Sequence, residues 1–395
     1  MDYIRTIPLK RLQFDNLMIS FTVGLRPKAN RYMNVITHGM KYPFGMRGIA
    51  FLMHAKIDVL KFPLNTRFSR IKRSGLDMGM HEDRLKAMRF ENPEYIPVSV
   101  GLIPATWMRH REELDKLAAD HPVIFGENVP GQRDYDAVGG TYRKGTHVDA
   151  WGCVWSNLNE GFEAIVTGHP IPTRESFHSY EPPTPGSGIP HGFMWLRLAD
   201  LRGFEQLMMD FAEEPPELQE LIDMVSQYNL GEVDNNIRHS KDIIYFGDDL
   251  GTQYSLAISP RQWRKYIKPC FKAIYNKCHA EGLSVYMHTD GHIIPIVDDL
   301  IECGVNVINP QFRANGLDRL VDTCKGKVCV DLDLDRQMFP FCTPEDIDAH
   351  VREATERLGS PEGGLWLKAE IGPEVPFENI RAMFDALERY RGYYH

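Results

Sequence analysis

Two stretches decide the fold: Ile243-Ile-Tyr-Phe-Gly-Asp-Asp-Leu-Gly251 and Leu283-Ser-Val-Tyr-Met-His-Thr-Asp-Gly-His292. Each opens with a short β-rich apolar run and stops in polar and glycine residues. The segment between them reads as a helix. It starts at Ser259-Pro260, a capping hydroxyl ahead of proline at the first helical position, and stops at Gly282. Strand, helix, strand in that order means parallel strands joined by a right-handed crossover. The pattern continues downstream. Val305-Asn-Val-Ile308, Lys327-Val-Cys-Val330 and Leu365-Trp-Leu-Lys368 read as strands, with one helix near 295–303 and another opening at Thr343-Pro344.

Upstream the signals are weaker. Tyr95-Ile-Pro-Val-Ser-Val-Gly-Leu-Ile103 predicts a strand, as do the shorter runs at 122–125 and 192–196. Residues 1–90, with basic stretches at 56–61 and 67–73, read as a helical extension packed on a catalytic domain spanning 91–395. No G-x-G-x-x-G follows a strand and no G-x-x-x-x-G-K-[ST] occurs, which removes the common phosphate-cradling sheets. The expected fold is therefore α/β, a (β/α)8 barrel with an N-terminal extension.

Composition narrows the function. The 395 residues carry 45 basic and 54 acidic side chains, a net charge of -9. That balance argues against a general nucleic-acid binder, which needs a basic face. No uninterrupted apolar run reaches the ~20 residues of a membrane span. The opening MDYIRTIPLKRLQFD lacks the apolar core of a secretory signal. Seven scattered cysteines without a C-x-x-C pair read as reduced thiols, and the expected location is the cytoplasm.

Catalytic groups of a barrel sit at the C-terminal strand ends. Here five successive runs end in polar residues: Asp248-Asp249, His288-Thr-Asp290, Asn309-Pro-Gln311, Asp331-Leu-Asp333, and Ala369-Glu370. A strand's period of two puts His288 and Asp290 on a shared face, and likewise Asp331 and Asp333, if the extended conformation persists that far. A His-x-Asp pair with a neighbouring carboxylate could hold a divalent metal, work as an acid/base pair, or be a hydrogen-bonded rim histidine. Further upstream, His147, Asp149, Trp151 and Trp155 crowd one short span that suggests the wall of an aromatic pocket. The Pro/Gly-rich segment at 179–190 reads as a lid or a surface excursion, and Glu127 is a weaker candidate acid. Asp348-Ala-His350-Val-Arg-Glu353 reads as a solvated helix face.

From about Tyr245 to Tyr390 the sequence resembles the uroporphyrinogen decarboxylase superfamily, which has a barrel fold. The resemblance is carried by Phe246-Gly-Asp-Asp-Leu-Gly251, the helix from Ser259-Pro260 through Tyr266-Ile-Lys-Pro269, His288-Thr-Asp-Gly291, Gly304-Val-Asn-Val-Ile-Asn309 and Val375-Pro-Phe-Glu-Asn-Ile380. True decarboxylases of this superfamily carry an N-terminal Arg-Gln-Ala-Gly-Arg-Tyr signature. This chain has only Arg26-Pro-Lys-Ala-Asn-Arg31-Tyr32, without the Gln-Ala-Gly core. The other branch comprises corrinoid-dependent methyltransferases of anaerobes. Its thiol-activating members hold zinc with a His-x-Cys-Gly turn and a second Cys near the last strand end. Here those positions are His288, Asp290 and Ala369, with Glu370 beside the last.

The lost thiolates remove the reason to expect thiol methylation, because zinc serves there to keep sulfur ionised. The resemblance then implies a demethylating role. A methyl group would pass from a small donor, an aromatic methyl ether first, to cobalt on a separate corrinoid-binding protein. Cobalamin would come with that partner. Zinc is an option for this chain itself, with His288, Asp290 and Glu370 as the implied ligands. The implied catalytic set is His288, Asp290, Asp248, Asp249 and Glu370. The implied substrate contacts are Trp151, Trp155, His147, Tyr245, Gln311 and Asp331. Two readings compete with this one: a decarboxylase of an aromatic or pyrrolic acid drawing on Arg143, Lys144 or Arg313, and a tetrapyrrole carrier.

Overall fold

The computed structural model describes residues 75–395 and two short strands before them, β1 (Leu12–Phe14) and β2 (Leu17–Ile19). These two pair antiparallel inside a unit spanning Met1–Phe68, and the rest of the chain, Ser69–His395, forms a second unit. Most of the expected 1–90 extension, including the basic stretches and 26–32, lies outside the described residues. Its described part is the helix Gly75–Arg89.

Six parallel strands form the frame: β3 (Val98–Leu102), β7 (Ile243–Gly247), β8 (Ser284–Thr289), β9 (Val307–Pro310), β10 (Cys329–Asp333) and β11 (Leu365–Ile371). They lie side by side in the order β3-β11-β10-β9-β8-β7. Register is continuous, with Gly247 beside His288, His288 beside Asn309, and Glu370 beside Gly101. The α/β class and the parallel pairing are as expected. The closed eight-stranded barrel is not: among the described residues the sheet is a curled half-barrel with β3 and β7 at its edges.

Between β3 and β7 the chain takes another course. β4 (Gly145–Val148), β5 (Val154–Asn157) and β6 (Ile165–Gly168) make a separate antiparallel sheet. A single bridge, His191 to Gly247, marks where a further parallel strand would run. Two short apolar runs change type. Residues 122–125 form a helical turn, Pro122–Phe125, whose proline opens it and whose Pro122 carbonyl accepts the Gly126 N–H at 2.8 Å. The 192–196 run breaks at Trp195, where the helix Trp195–Arg202 begins. A four- or five-residue apolar run carries no period long enough to separate strand from helix.

The strands alternate as a two-faced sheet requires. Val285 and Met287 pack with the surrounding helices in the main core, while Tyr286 turns to the inner face. Ala87 and Met88 of the Gly75–Arg89 helix pack against Ile243, Tyr286, Val307, Cys329 and Trp366, closing the N-terminal end of that face. The predicted caps form: Ser259 and Thr343 each accept from the third helical N–H, and Gly282 ends its helix with φ +76°. The 348–353 reading needs correction. His350 is buried, its Nε2 accepts from the Asp335 N–H at 3.1 Å, and burial pushes its pKa down to about 4. The turn holding Asp335 needs an acceptor there, and the helix supplies it. The seven cysteines are unpaired, and no described helix is long and apolar enough to cross a membrane.

Candidate active site

The C-terminal ends of β7 and β8 carry the centre of the site. Their tails are locked together. The Asp248 N–H donates to the His288 carbonyl at 3.0 Å and the Gly251 N–H to the Asp290 carbonyl at 3.2 Å. Gly291 has φ +85°, and a Cβ there would come within 2.1 Å of the Gly251 oxygen, so only glycine fits. Gly247 serves differently: a Cβ on it would come within 2.5 Å of His191 Nδ1. Its bare backbone makes room for an imidazole the sequence reading did not single out.

His288 is held from behind. The Asn309 amide nitrogen donates to the Asp331 carbonyl at 2.5 Å, so its oxygen must face the ring. His288 Nδ1–H donates to that oxygen at 2.6 Å. Its Nε2 is thereby aimed at two carboxylates, Asp290 Oδ1 at 3.3 Å and Asp249 Oδ1 at 3.9 Å. His191 Nε2 reaches the same Asp249 oxygen at 3.3 Å, and the two rings lie 5.4 Å apart. Burial works to lower the His288 pKa, but the Asp290 hydrogen bond and charge outweigh it, and the value rises. His191 is raised to about 9, chiefly by its bond to Asp249.

A second layer joins Asp290 to the end of β11. Arg336 bridges them, donating to Asp290 Oδ2 at 2.6 Å and also to Glu370. Lys368 Nζ contacts the other Glu370 oxygen at 2.7 Å. Burial would raise Asp290, yet His288 and Arg336 hold it down at about 2. Beneath Arg336 sits Asp333, 1% exposed, with both carboxylate oxygens lacking a hydrogen-bond partner. Burial and the charge of Glu370 push it up to about 7. Such a group is divided between acid and carboxylate near neutral pH and can exchange a proton there.

The implied zinc ligands do not converge as a set. His288 and Asp290 meet, but the Arg336 cation stands between Asp290 and Glu370. A different trio does converge: one ligand atom each from His191, Asp249 and His288 lie within 4.8 Å of one another. Two imidazoles and a carboxylate suit a divalent ion such as zinc. The Asn309 bond behind His288 is the kind of outer contact that orients a ligating histidine.

The other named residues are placed elsewhere. Asp248 is fully buried and caps the Trp195–Arg202 helix, accepting the Trp195 and Leu196 N–H groups at 2.5 and 2.8 Å. Burial pushes it up to about 7 against those two donors. Gln311 accepts the Gly291 N–H at 2.9 Å and so braces the β8 tail. Asp331 accepts from the Tyr286 hydroxyl at 2.8 Å, one layer below His288, and Tyr245 stands beside Tyr286 with ring centres 4.9 Å apart. Trp151, Trp155 and His147 belong to the antiparallel sheet and its loop. Asp149 accepts from Trp155 Nε1 at 3.0 Å and from Arg197 at 3.1 Å, Trp151 packs on Tyr228, and His147 stacks on Trp155. Arg313 pairs with Asp335, and Glu127 is exposed.

Sequence reading missed His191 and Arg336. His191 follows the Pro/Gly-rich 179–190 segment and lies in no strand, so periodicity says nothing of it. Arg336 had a signal: it is the one cation closing the acidic run 331–335. Desolvated carboxylates need such a partner.

With this geometry in hand, similarity to known proteins can be placed on it. A methyltransferase from Methanosarcina mazei shares the fold, at 18% identity over 79% of this chain and 98% of that one, with a TM-score of 0.55. A B12-independent methionine synthase from Shewanella sp. W3-18-1 aligns over 45% of this chain and 55% of its own, at 12% identity and a TM-score of 0.33, too low to bear on the fold. No curated protein sequence matches the chain. Residues 195–390, which begin at the helix capped by Asp248 and contain β7 through β11, match the uroporphyrinogen decarboxylase (URO-D) family. That match spans just under half of the chain, and the methyltransferase neighbour, at 18% identity, bears on the fold alone.

Proposed function

We propose that the protein transfers a methyl group from a small methylated donor, foremost an aromatic methyl ether, to the cobalt of a separate corrinoid protein. The observation that supports this reading is the His191–Asp249–His288 cluster, with Asp290 beside it, at the open end of the sheet. An ether carbon becomes transferable only when its leaving oxygen is stabilised. As the carbon–oxygen bond breaks, the methyl carbon goes to the acceptor and the bonding pair stays on oxygen. His288 Nε2, whose pKa the Asp290 hydrogen bond and charge raise against burial, faces the space where that oxygen would lie and delivers the proton. Asp290 holds the imidazolium, and Arg336 holds Asp290. Asp333, two strands over on β10 and raised to about 7, is the group that supplies a replacement proton.

A divalent metal held by His191, Asp249 and His288 would supply Lewis-acid stabilisation of the same oxygen. The cation that the cluster calls for, proton or metal, enters between groups that otherwise present lone pairs to one another. The absence of thiolates among these residues fits a donor-side rather than a thiol-methylating role.

The experiment is a screen of methoxylated aromatics, methylamines and methylthiols with cob(I)alamin, free or protein-bound, as acceptor, followed by its absorbance. Methylation that depends on a methoxylated aromatic supports the reading. Release of carbon dioxide from an aromatic or pyrrolic acid without any cobalt acceptor replaces it with the decarboxylase reading. A tight porphyrin complex without turnover would point to a carrier.

A further inference from the structure

Below the candidate active site the curled sheet leaves a cavity of about 180 Å³, walled by Tyr245, Tyr286 and Trp366 and reached by Arg84 and Lys368. Its walls come from strands far apart in order. Tyr286 is on β8 and Trp366 on β11, yet their rings stack with centres 6.0 Å apart, because the curl brings the two together. Tyr245 is 52% exposed at the β7 edge, which leaves the cavity a side opening.

The polar groups are unevenly matched. Arg84 Nε and Trp366 Nε1 are buried without hydrogen-bond partners. Ser99 adds a hydroxyl to the lining. The one carboxylate present, Asp331, is 5% exposed, is bonded through one oxygen to Tyr286, and has no partner on the other. Donors therefore exceed acceptors: Arg84 Nε, the Trp366 indole and the Ser99 hydroxyl face a single buried acid, while Lys368 is already paired with Glu370. Aromatic walls with surplus donors fit a flat ligand bearing a negative charge.

We propose that this cavity binds the anionic tail of a planar aromatic ligand, an aromatic carboxylate, with Arg84 as its anchor. The inference deepens the methyl-transfer reading and rests on it only for the ligand's orientation. Along the strands, Tyr286 lies two residues below His288, Asp331 two below Asp333, and Lys368 two below Glu370. Two residues of strand rise roughly 7 Å. That is the scale of one benzene ring with its two para substituents. A carboxylate near Arg84 would then set a para methoxy oxygen at the level of His288.

The test measures binding without any methyl acceptor, by calorimetry on the full-length chain. The probes are 4-methoxybenzoate, its neutral relative 4-methoxybenzyl alcohol, and benzoate, which has no methyl to give. The expected result is that both acids bind at least about tenfold tighter than the alcohol. Arg84→Met should shrink that gap to about threefold or less, while Arg84→Lys keeps most of it. Arg84→Gln replaces the methionine variant if that one does not fold. Equal binding of acid and alcohol, or an acid preference untouched by loss of Arg84, overturns the proposal. Failure of the two ideas is separable. Arg84-dependent benzoate binding with no methyl transfer sinks the catalytic reading alone. Methyl transfer from neutral ethers as fast as from acids, unaffected at Arg84, sinks the cavity assignment alone.

Discussion

From Ile243 to Ile371 the chain lays down five parallel strands with helices between them, each strand ending in polar residues at the same rim. From Pro104 to Ile237, a stretch of similar length, it adds no strand to that sheet beyond one bridge at His191. The two regions are held by different forces. The first is fixed by a hydrogen-bonded ladder and a shared apolar core. The second is fixed by polar hubs: the half-buried Asp149 collects the Trp151 and Cys153 N–H groups, the Trp155 indole and Arg197, while the buried Glu232 collects the Gly186, Ser187 and Gly188 N–H groups. The candidate active site needs both. The regular region supplies Asp249, His288 and Asp290, and the irregular one supplies His191.

The comparison breaks most visibly at His288. His288→Ala should slow methyl transfer by about 10²–10⁴-fold, the range for removing a positioned proton donor, with an unchanged circular dichroism spectrum. Unchanged turnover in a folded variant would remove the imidazole from the mechanism. Next in size is Asp149→Ala in the irregular region. Arg197 would lose its nearest carboxylate while nearly buried, at a cost of about 3 kcal/mol in denaturant unfolding. Turnover should fall little if that region is scaffold; a large drop in turnover at full stability would make Trp151 and Trp155 part of the substrate wall.

Gly291→Ala tests the seam between the β7 and β8 tails. A left-handed backbone and the Gly251 oxygen both oppose the new methyl group, and a loss of about 1–3 kcal/mol or more is expected. Smaller again is the response to pH. Both imidazoles hold their protons above the ordinary value, so a metal ion must displace them. Zinc affinity, measured by calorimetry, should rise from about pH 7 to about pH 9 by up to about tenfold per unit per proton displaced. His191→Ala should flatten that rise, whereas Glu370→Gln should leave it unchanged. The smallest expected effect lies far from the site: Ser259→Ala removes a cap worth about 1 kcal/mol, with no change in turnover.

The regular region was open to sequence reading because each of its signals is local. A β-branched run, a glycine stop and a serine before proline act within a few residues, and the ladder then repeats them. His288, Asp290 and Asp249 stood out for the same reason, since a polar residue right after a strand has only the rim to occupy. The irregular region gave no such purchase. The runs at 122–125 and 192–196 are too short to show a period, and what settles each is a contact from elsewhere: Asp248, some fifty residues on, starts the helix at Trp195.

The sequence alone determined the α/β class, the parallel order of the later strands and the row of polar residues at their ends, because alternation, caps and stops are properties of neighbouring residues. Tertiary structure decided which of those polar residues face one another. It turned Asp248 into a cap, set Arg336 between Asp290 and Glu370, and brought His191 to Asp249 through the space left by Gly247. Those choices depend on distances across the curled sheet, and charge, burial and shape at such distances are fixed only once the chain has closed on itself.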